Sequence, residues 1–227
     1  MKRLFFRICV PAFSLLLIAN FAGAQELKDI ALPAPKTEGG KPLMQALKAR
    51  QTSREYDVKK IPLQTLSDML WAAFGINRAD SGKRTAPSTR NWQEIEIYVV
   101  MEEGAYVYDA KANSLKAVSG GDFRKMTGSQ EFVFAAPVNL VFVADTTKMK
   151  GASPEDQALY AGADTGFICQ NVYLFCASEG LATVVRGLIG DKKALAGALK
   201  LPAEKKIILA QTVGYPAKEQ QLGAGNN

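Results

Sequence analysis

The stretch PEDQALYAGADTGFICQNVYLFCASE, residues 154–179, decides how this chain is read. It predicts one long helix, and apolar residues fall on nearly every face of it: Ala158, Tyr160, Ala161, Phe167, Ile168, Val172, Tyr173, Leu174 and Phe175. A helix that is apolar all round is buried all round. In a chain of 227 residues this predicts a central helix covered by a second subunit.

Working outward, two more helices are legible. Residues 42–50 begin with Pro42, suited to a first helical turn, and place Leu43, Ala46 and Leu47 on one face. Leu63, Leu66, Met69, Leu70, Ala73 and Phe74 recur at helical spacing, with Gly75 as the expected C-terminal cap. Residues 94–101 alternate and read as a strand, and residues 105–109 and 115–118 as a following hairpin. Residues 132–136 read as a short helical turn. Residues 138–144, 181–185 and 206–213 are apolar runs of strand length, expected to be buried. Residues 78–85 read as a loop. Strands and helices that do not strictly alternate point to an α+β fold.

Composition removes several function classes. Hydrophobic residues make up 48% and charged residues 22%, an ordinary globular balance. The net charge is +6, but three of the positive charges, Lys2, Arg3 and Arg7, lie in the first 24 residues, so the rest is too mildly basic to argue for nucleic acid. The chain has no histidine, which removes histidine triads and most zinc hydrolase sites, and no metal site is expected. Any chemistry must come from an acid, a lysine, a tyrosine, a thiol or a bound cofactor. Cys169 and Cys176 stand about 10 Å apart along the predicted helix, too far to bridge within it, and read as buried thiols.

The N-terminus reads as an export signal. Residues 1–7 are basic, residues 8–21 are apolar, and Ala22-Gly23-Ala24 offers a small-x-small cleavage pattern before Gln25. A membrane anchor is the alternative, but the apolar stretch is shorter than the roughly 20 residues a span needs. The organisation expected is a signal peptide (1–24), an extended leader (25–41), one domain (42–220) and a flexible tail (221–227). The mature protein is then placed in the periplasm or extracellular space, without a stable membrane span.

Six segments, from about Leu43 to Pro216, together resemble the nitroreductase-like flavoprotein superfamily, and within it the SagB-type dehydrogenases. They are Ala49-Arg50-Gln51-Thr52-Ser53-Arg54-Glu55-Tyr56; Arg84-Thr85-Ala86-Pro87-Ser88-Thr89-Arg90-Asn91-Trp92-Gln93; Thr127-Gly128-Ser129-Gln130; DTGFICQNVYL at residues 164–174; residues 180–187; and residues 213–218. The resemblance implies a nitroreductase fold: a central mixed sheet flanked by helices, with a long buried helix at a homodimer interface. It implies FMN as cofactor, with NAD(P)H as the family's usual electron donor.

Site residues follow by position. Arg50, Gln51, Thr52 and Arg54 would hold the FMN phosphate and ribityl chain, because a phosphate dianion needs arginine forks and a short hydroxyl donor. Thr52 stands where serine is usual. Read alone, these arginines equally suit a helix C-terminus. Pro87, Ser88, Thr89 and Asn91 form the loop expected to reach the partner subunit's flavin; alone, they suit a polar loop with a proline turn. Gln130 would meet the pyrimidine edge of the ring, or be an exposed glutamine. Backbone N–H groups at Val185, Arg186 and Gly187 would face flavin N5 and O4, with the Arg186 charge near the ring. Lys218 would help hold the phosphate, or belong to a solvated tail. No catalytic acid or base is singled out.

The function implied is an exported FMN-dependent oxidoreductase that passes hydride through flavin to or from a small substrate. Because NAD(P)H is scarce outside the cytoplasm, a quinol or a redox partner is an alternative donor. The competing reading is a non-catalytic periplasmic binding protein that keeps the fold.

Overall fold

The computed structural model describes residues 26–217, so the expected signal segment, the tail and Lys218 lie outside the described residues. The alternating and continuous apolar runs pair as the centre of a sheet. Strand β5 (Ile95–Val100) lies antiparallel to β8 (Val138–Asp145), with Ile95 opposite Ala144 and Val100 opposite Asn139. On one side β6 (Gly104–Asp109) and β7 (Ser114–Gly120) extend the sheet, and β1 (Ile30–Ala31) closes that edge on β7. The extended leader therefore contributes a short strand.

On the other side of β8 lies β10 (Lys205–Pro216), which pairs along its length with β8. The opposite edge of β10 is shared by β9 (Ala182–Arg186) and β2 (Tyr56–Asp57). Every described pairing is antiparallel. Residues 78–85 are not a plain loop: β3 (Ile76–Arg78) and β4 (Lys83–Arg84) form a small separate hairpin. Two-residue pairings leave no period to read, which is why these short strands escape pattern analysis.

Alternate residues of a strand point to opposite faces, and both faces of this sheet are covered. Ile95, Ile97 and Val99 with Leu140 and Phe142 pack against α2 (Leu63–Phe74) and α4 (Pro154–Glu179). Tyr98, Val100, Val141 and Val143 face Leu195 and Leu199, the first from α5 (Lys192–Ala198) and the second from its C-terminal cap. The other helices are α1 (Leu43–Ala49) and the single turn α3 (Phe132–Ala135).

Helix α4 has the bounds its periodicity predicts. The Ser153 hydroxyl accepts from the Asp156 N–H at its start, and Gly180, at φ +71°, ends it in a left-handed turn. Gly75 ends α2 differently. Its φ is −71°, and glycine is required because a Cβ would overlap Trp71 one turn back.

The expectation that α4 is buried on every face is corrected within the protomer. Leu159, Ala163, Gly166, Phe167 and Gln170 form one exposed stripe, with Leu159 63% and Phe167 49% accessible. Helix α1 departs likewise: Ala46 is buried, while Leu43, Met44 and Leu47 are exposed. Cys169 and Cys176 are free and buried, and burial pushes the Cys169 thiol up to about 12, so both are inert packing groups. No helix among the described residues is long and apolar enough to cross a membrane.

Candidate functional site

Among the described residues strand β9 pairs with β10 on one side, and its other edge has no strand partner. The chain leaving α1 runs along that edge. Ser53 N donates to Thr183 O at 3.0 Å, and the Tyr56 hydroxyl donates back to Ser53 O at 2.8 Å, which pins residues 53–56. Ser53 is buried while Gln51, Thr52 and Arg54 are exposed around it and Arg50 is partly exposed. The basic segment is thus a short extended rail beside a strand edge.

A tyrosine of α4 joins the two. The Val185 N–H donates to the Tyr173 hydroxyl at 3.1 Å, and that hydroxyl shares a hydrogen bond of 3.0 Å with Thr52 Oγ1. The Arg50 guanidinium lies over the Tyr173 ring, 5.3 Å from its centroid. Arg50, Thr52, Tyr173 and the end of β9 therefore form one cluster. On the Gln51 and Ser53 side of the rail a cleft of about 350 Å³ opens, bordered also by Lys41, Tyr173, Gly180 and Pro216. Lys41 is a cation that pattern reading missed; its Nζ donates to Ala177 O at 3.1 Å, at the C-terminal end of α4. Among the described residues neither Arg50 nor Arg54 has a carboxylate within ion-pair distance.

Backbone groups alternate in direction along β9. Thr183 O and Val185 N face the open edge, so by alternation the backbone groups of Val184 and Arg186 face β10. The Val185 N–H is engaged by Tyr173, and the Arg186 N–H points into the sheet. Gly187 follows the last residue of β9 and is exposed.

The Arg186 side chain is also not where a ring-facing charge was expected. It is 4% accessible and points into the core. Its Nη1 donates to Thr127 O at 2.6 Å, its Nη2 to Asn139 Oδ1 at 3.0 Å, and its Nε to Thr212 Oγ1 at 2.8 Å. No carboxylate pairs with it among the described residues, and burial lowers its pKa to about 10. Gly128 has no room for a side chain because a Cβ would overlap the guanidinium. Gln130 lies against the same glycine, and its Oε1 is a buried acceptor with no protein partner.

The loop carrying Pro87, Ser88, Thr89 and Asn91 is a second, separate constellation. Thr89 donates its N–H to Asp164 Oδ2 at 2.7 Å and its hydroxyl to Asp164 Oδ1 at 3.2 Å. The Ser88 hydroxyl donates to Glu94 Oε2 at 3.1 Å and accepts from Gln93 N at 2.8 Å. The hydroxyls of Ser88 and Thr89 thus hold the loop in shape, while Asn91 is exposed at its tip. Arg90, Asn91 and Gln93 have φ of 50°, 55° and 49°, a run of left-handed residues of the kind found where a loop's shape matters for function. Glu94 and Asp164 are both buried, at 0% and 1% accessible, and Glu94 Oε1 has no hydrogen-bond partner other than a proton it could share with Asp164. Burial first, and the neighbouring Asp164 second, push the Glu94 carboxyl up to about 7.

The two constellations do not meet in one protomer. Thr52 is bound to Tyr173 and Thr89 to Asp164, nine residues apart on α4. On a helix that is roughly 180° around the axis and about 13 Å along it. The rail and the loop therefore sit on opposite flanks of α4.

A family model described as the nitroreductase family matches residues 47–215 of the chain. The chain belongs to the nitroreductase family. Members of this family are flavin-dependent oxidoreductases that typically bind FMN. A protein of Methanocaldococcus jannaschii described as a nitroreductase is 30% identical over 154 residues, 63% of this chain and 77% of that one. A crystal structure described as a nitroreductase of Ralstonia eutropha superposes with a TM-score of 0.80 at 38% identity, covering 96% of this chain and 97% of that chain. The NADPH:FMN oxidoreductase of Vibrio harveyi, solved with NAD+, shares the fold with a TM-score of 0.55 at 19% identity over 78% of this chain and 69% of that chain.

The residues present fit the family's cofactor. Among the described residues Arg50 and Arg54 have no acidic partner, Thr52 stands between them on the rail, and on the Gln51 and Ser53 side of that rail the cleft has room for a sugar-phosphate. Lys41 would add a cation at the cleft, and Tyr173 a hydroxyl between rail and strand.

Proposed function

We propose that the chain is an exported, homodimeric FMN oxidoreductase in which each flavin lies between the rail of one subunit and the loop of the other. The observation that carries this reading is the placement of the rail and the loop on opposite flanks of α4. A single subunit supplies one rail and one loop that do not meet, and a two-fold pair about the exposed stripe of α4 would bring the rail of one subunit to the loop of the other. Leu159 and Phe167 on that stripe, with Leu43 and Met44 on α1, supply apolar surface for such a contact.

In this arrangement Arg50 and Arg54 bind the phosphate, with Lys218 as a further cation beyond the described residues. Thr52 and Gln51 bind the ribityl chain. Gly187 donates to the ring edge, and Gln130 offers an unsatisfied acceptor to a ring N–H. Pro87, Ser88 and Thr89 hold the shape from which Asn91 reaches the partner's flavin. FMN, when bound, supplies the hydride and electron transfer. The affinity with SagB-type dehydrogenases is part of this reading and rests on the order and wording of the six segments.

Export rests on residues 1–24 and makes NAD(P)H a poor donor, so a quinol or a redox partner is the proposed electron source for a small-molecule substrate. Purification of the mature protein from the periplasmic fraction tests the whole. A yellow dimer that releases FMN on denaturation is expected. A colourless protein that takes up no added FMN refutes the enzyme reading and leaves the non-catalytic one.

A further inference from the structure

We infer that Tyr173 is a positioning residue that fixes the proton of Thr52 outward, turning the threonine into a dedicated donor to an anionic oxygen. The inference rests on the flavin reading above and adds a residue to it. A backbone N–H can only donate, so the Tyr173 oxygen must accept from Val185 N at 3.1 Å. A phenol has one hydrogen, and the polar atom placed to receive it is Thr52 Oγ1 at 3.0 Å. The Thr52 oxygen is then an acceptor on its inner side, and its own hydrogen is turned to the exposed side.

The chain of donors thus has one sense, from Val185 N–H through the Tyr173 O–H to the Thr52 O–H. Each link polarises the next. The Arg50 guanidinium over the Tyr173 ring, at 5.3 Å, adds positive potential beside the same end. A neutral ligand oxygen gains little from such a donor, whereas a phosphate oxygen gains a charge-assisted bond. Discrimination between FMN and riboflavin should therefore depend on Tyr173, although the tyrosine does not itself face the ligand's phosphate.

The test measures dissociation constants for FMN and for riboflavin by quenching of flavin fluorescence, in the wild-type dimer and in Tyr173→Phe, Thr52→Val and Thr52→Ser. Tyr173→Phe keeps the ring under Arg50 and removes only the hydroxyl. We expect it to weaken FMN by about tenfold or more, the size of a hydrogen bond to a charged group, with riboflavin changed less than about twofold. Thr52→Val should do the same, Thr52→Ser should retain wild-type preference, and the Tyr173→Phe/Thr52→Val pair should be no worse than either alone. Equal losses of FMN and riboflavin, or no loss of FMN in Tyr173→Phe, overturn the inference and leave the flavin reading intact. If Tyr173→Phe does not fold, Thr52→Val against Thr52→Ser decides the same point. Wild-type protein with no affinity for either flavin overturns both readings.

Discussion

Replacement of Glu94 by glutamine should flatten the dependence of stability on pH. In the folded chain Glu94 has no access to water and lies against Asp164, and its carboxyl is raised from 4.5 to about 7. A raised carboxyl binds its proton more tightly when folded than when unfolded. Below about 4.5 both states are protonated and the site makes no pH-dependent contribution. As pH rises to about 7 the unfolded state ionises first, and stability falls throughout that window. The interval corresponds to at most about 3 kcal/mol at 1.36 kcal/mol per pH unit, and water drawn toward the loop lowers this to about 1–3 kcal/mol. For a domain of this size that is a fall of roughly 3–10 °C in Tm between pH 5 and pH 8. The cations around the loop are Arg90 within it, Arg84, whose Nε donates to Gln93 Oε1 at 2.7 Å, and Lys148, whose Nζ donates to Gln93 O at 3.3 Å. In Glu94→Gln the side chain keeps its place beside Asp164 but does not titrate. Thermal melts of both proteins at pH 5, 6, 7 and 8, without added flavin, give the comparison. A wild-type Tm that is flat or rises over this range, or a Glu94→Gln protein with the same slope as wild type, would refute the argument that the two acids share a proton.

Three further outcomes are expected. Arg186→Ala should cost about 3 kcal/mol or more in chemical denaturation, because Thr127 O and Asn139 Oδ1 lose a buried donor; a change under 1 kcal/mol would show that the guanidinium is not a core group. Arg50→Ala and Arg54→Ala should each raise the FMN dissociation constant by about 10- to 100-fold while sparing riboflavin, read by fluorescence titration. Phe167→Glu places a charge on the exposed stripe of α4 and should give a monomer by light scattering; a variant that stays dimeric would place the interface elsewhere.

Much of this fold was open to pattern reading because its determinants are local. The spacing from Leu63 to Phe74 and the Ser153–Pro154 start and Gly180 stop of α4 act within a few residues, so those bounds are correct. Strands β1 and β2 were unreadable because two paired residues carry no period, and α5 was missed despite its Asp191 cap. The candidate site divides in the same way. Motif order pointed to residues 50–54 and to the loop at 87–91, but position along a chain does not give side-chain direction. Arg186 was therefore read as facing a ring when its strand register turns it into the core. Glu94 and Asp164 meet across 70 positions, beyond any local signal, although an acid inside so apolar a helix was a clue. Tyr173 was counted as core; its hydroxyl needed a partner, and that need was the available sign.

Strand β10 has a consequence for the order in which this protein can form. It comes last among the described elements, yet β8, β9 and β2 are all joined through it. Until residues 205–216 are present, β9 has no sheet to belong to, and the rail that pairs with β9 has no fixed wall. The half of the molecule that carries the rail is therefore built from contacts of long sequence separation, a slow step in folding. In vectorial synthesis or translocation, the earlier hairpins of β5, β6 and β7 can assemble while the cofactor pocket does not yet exist. On the proposed flavin reading, cofactor binding must follow completion of β10.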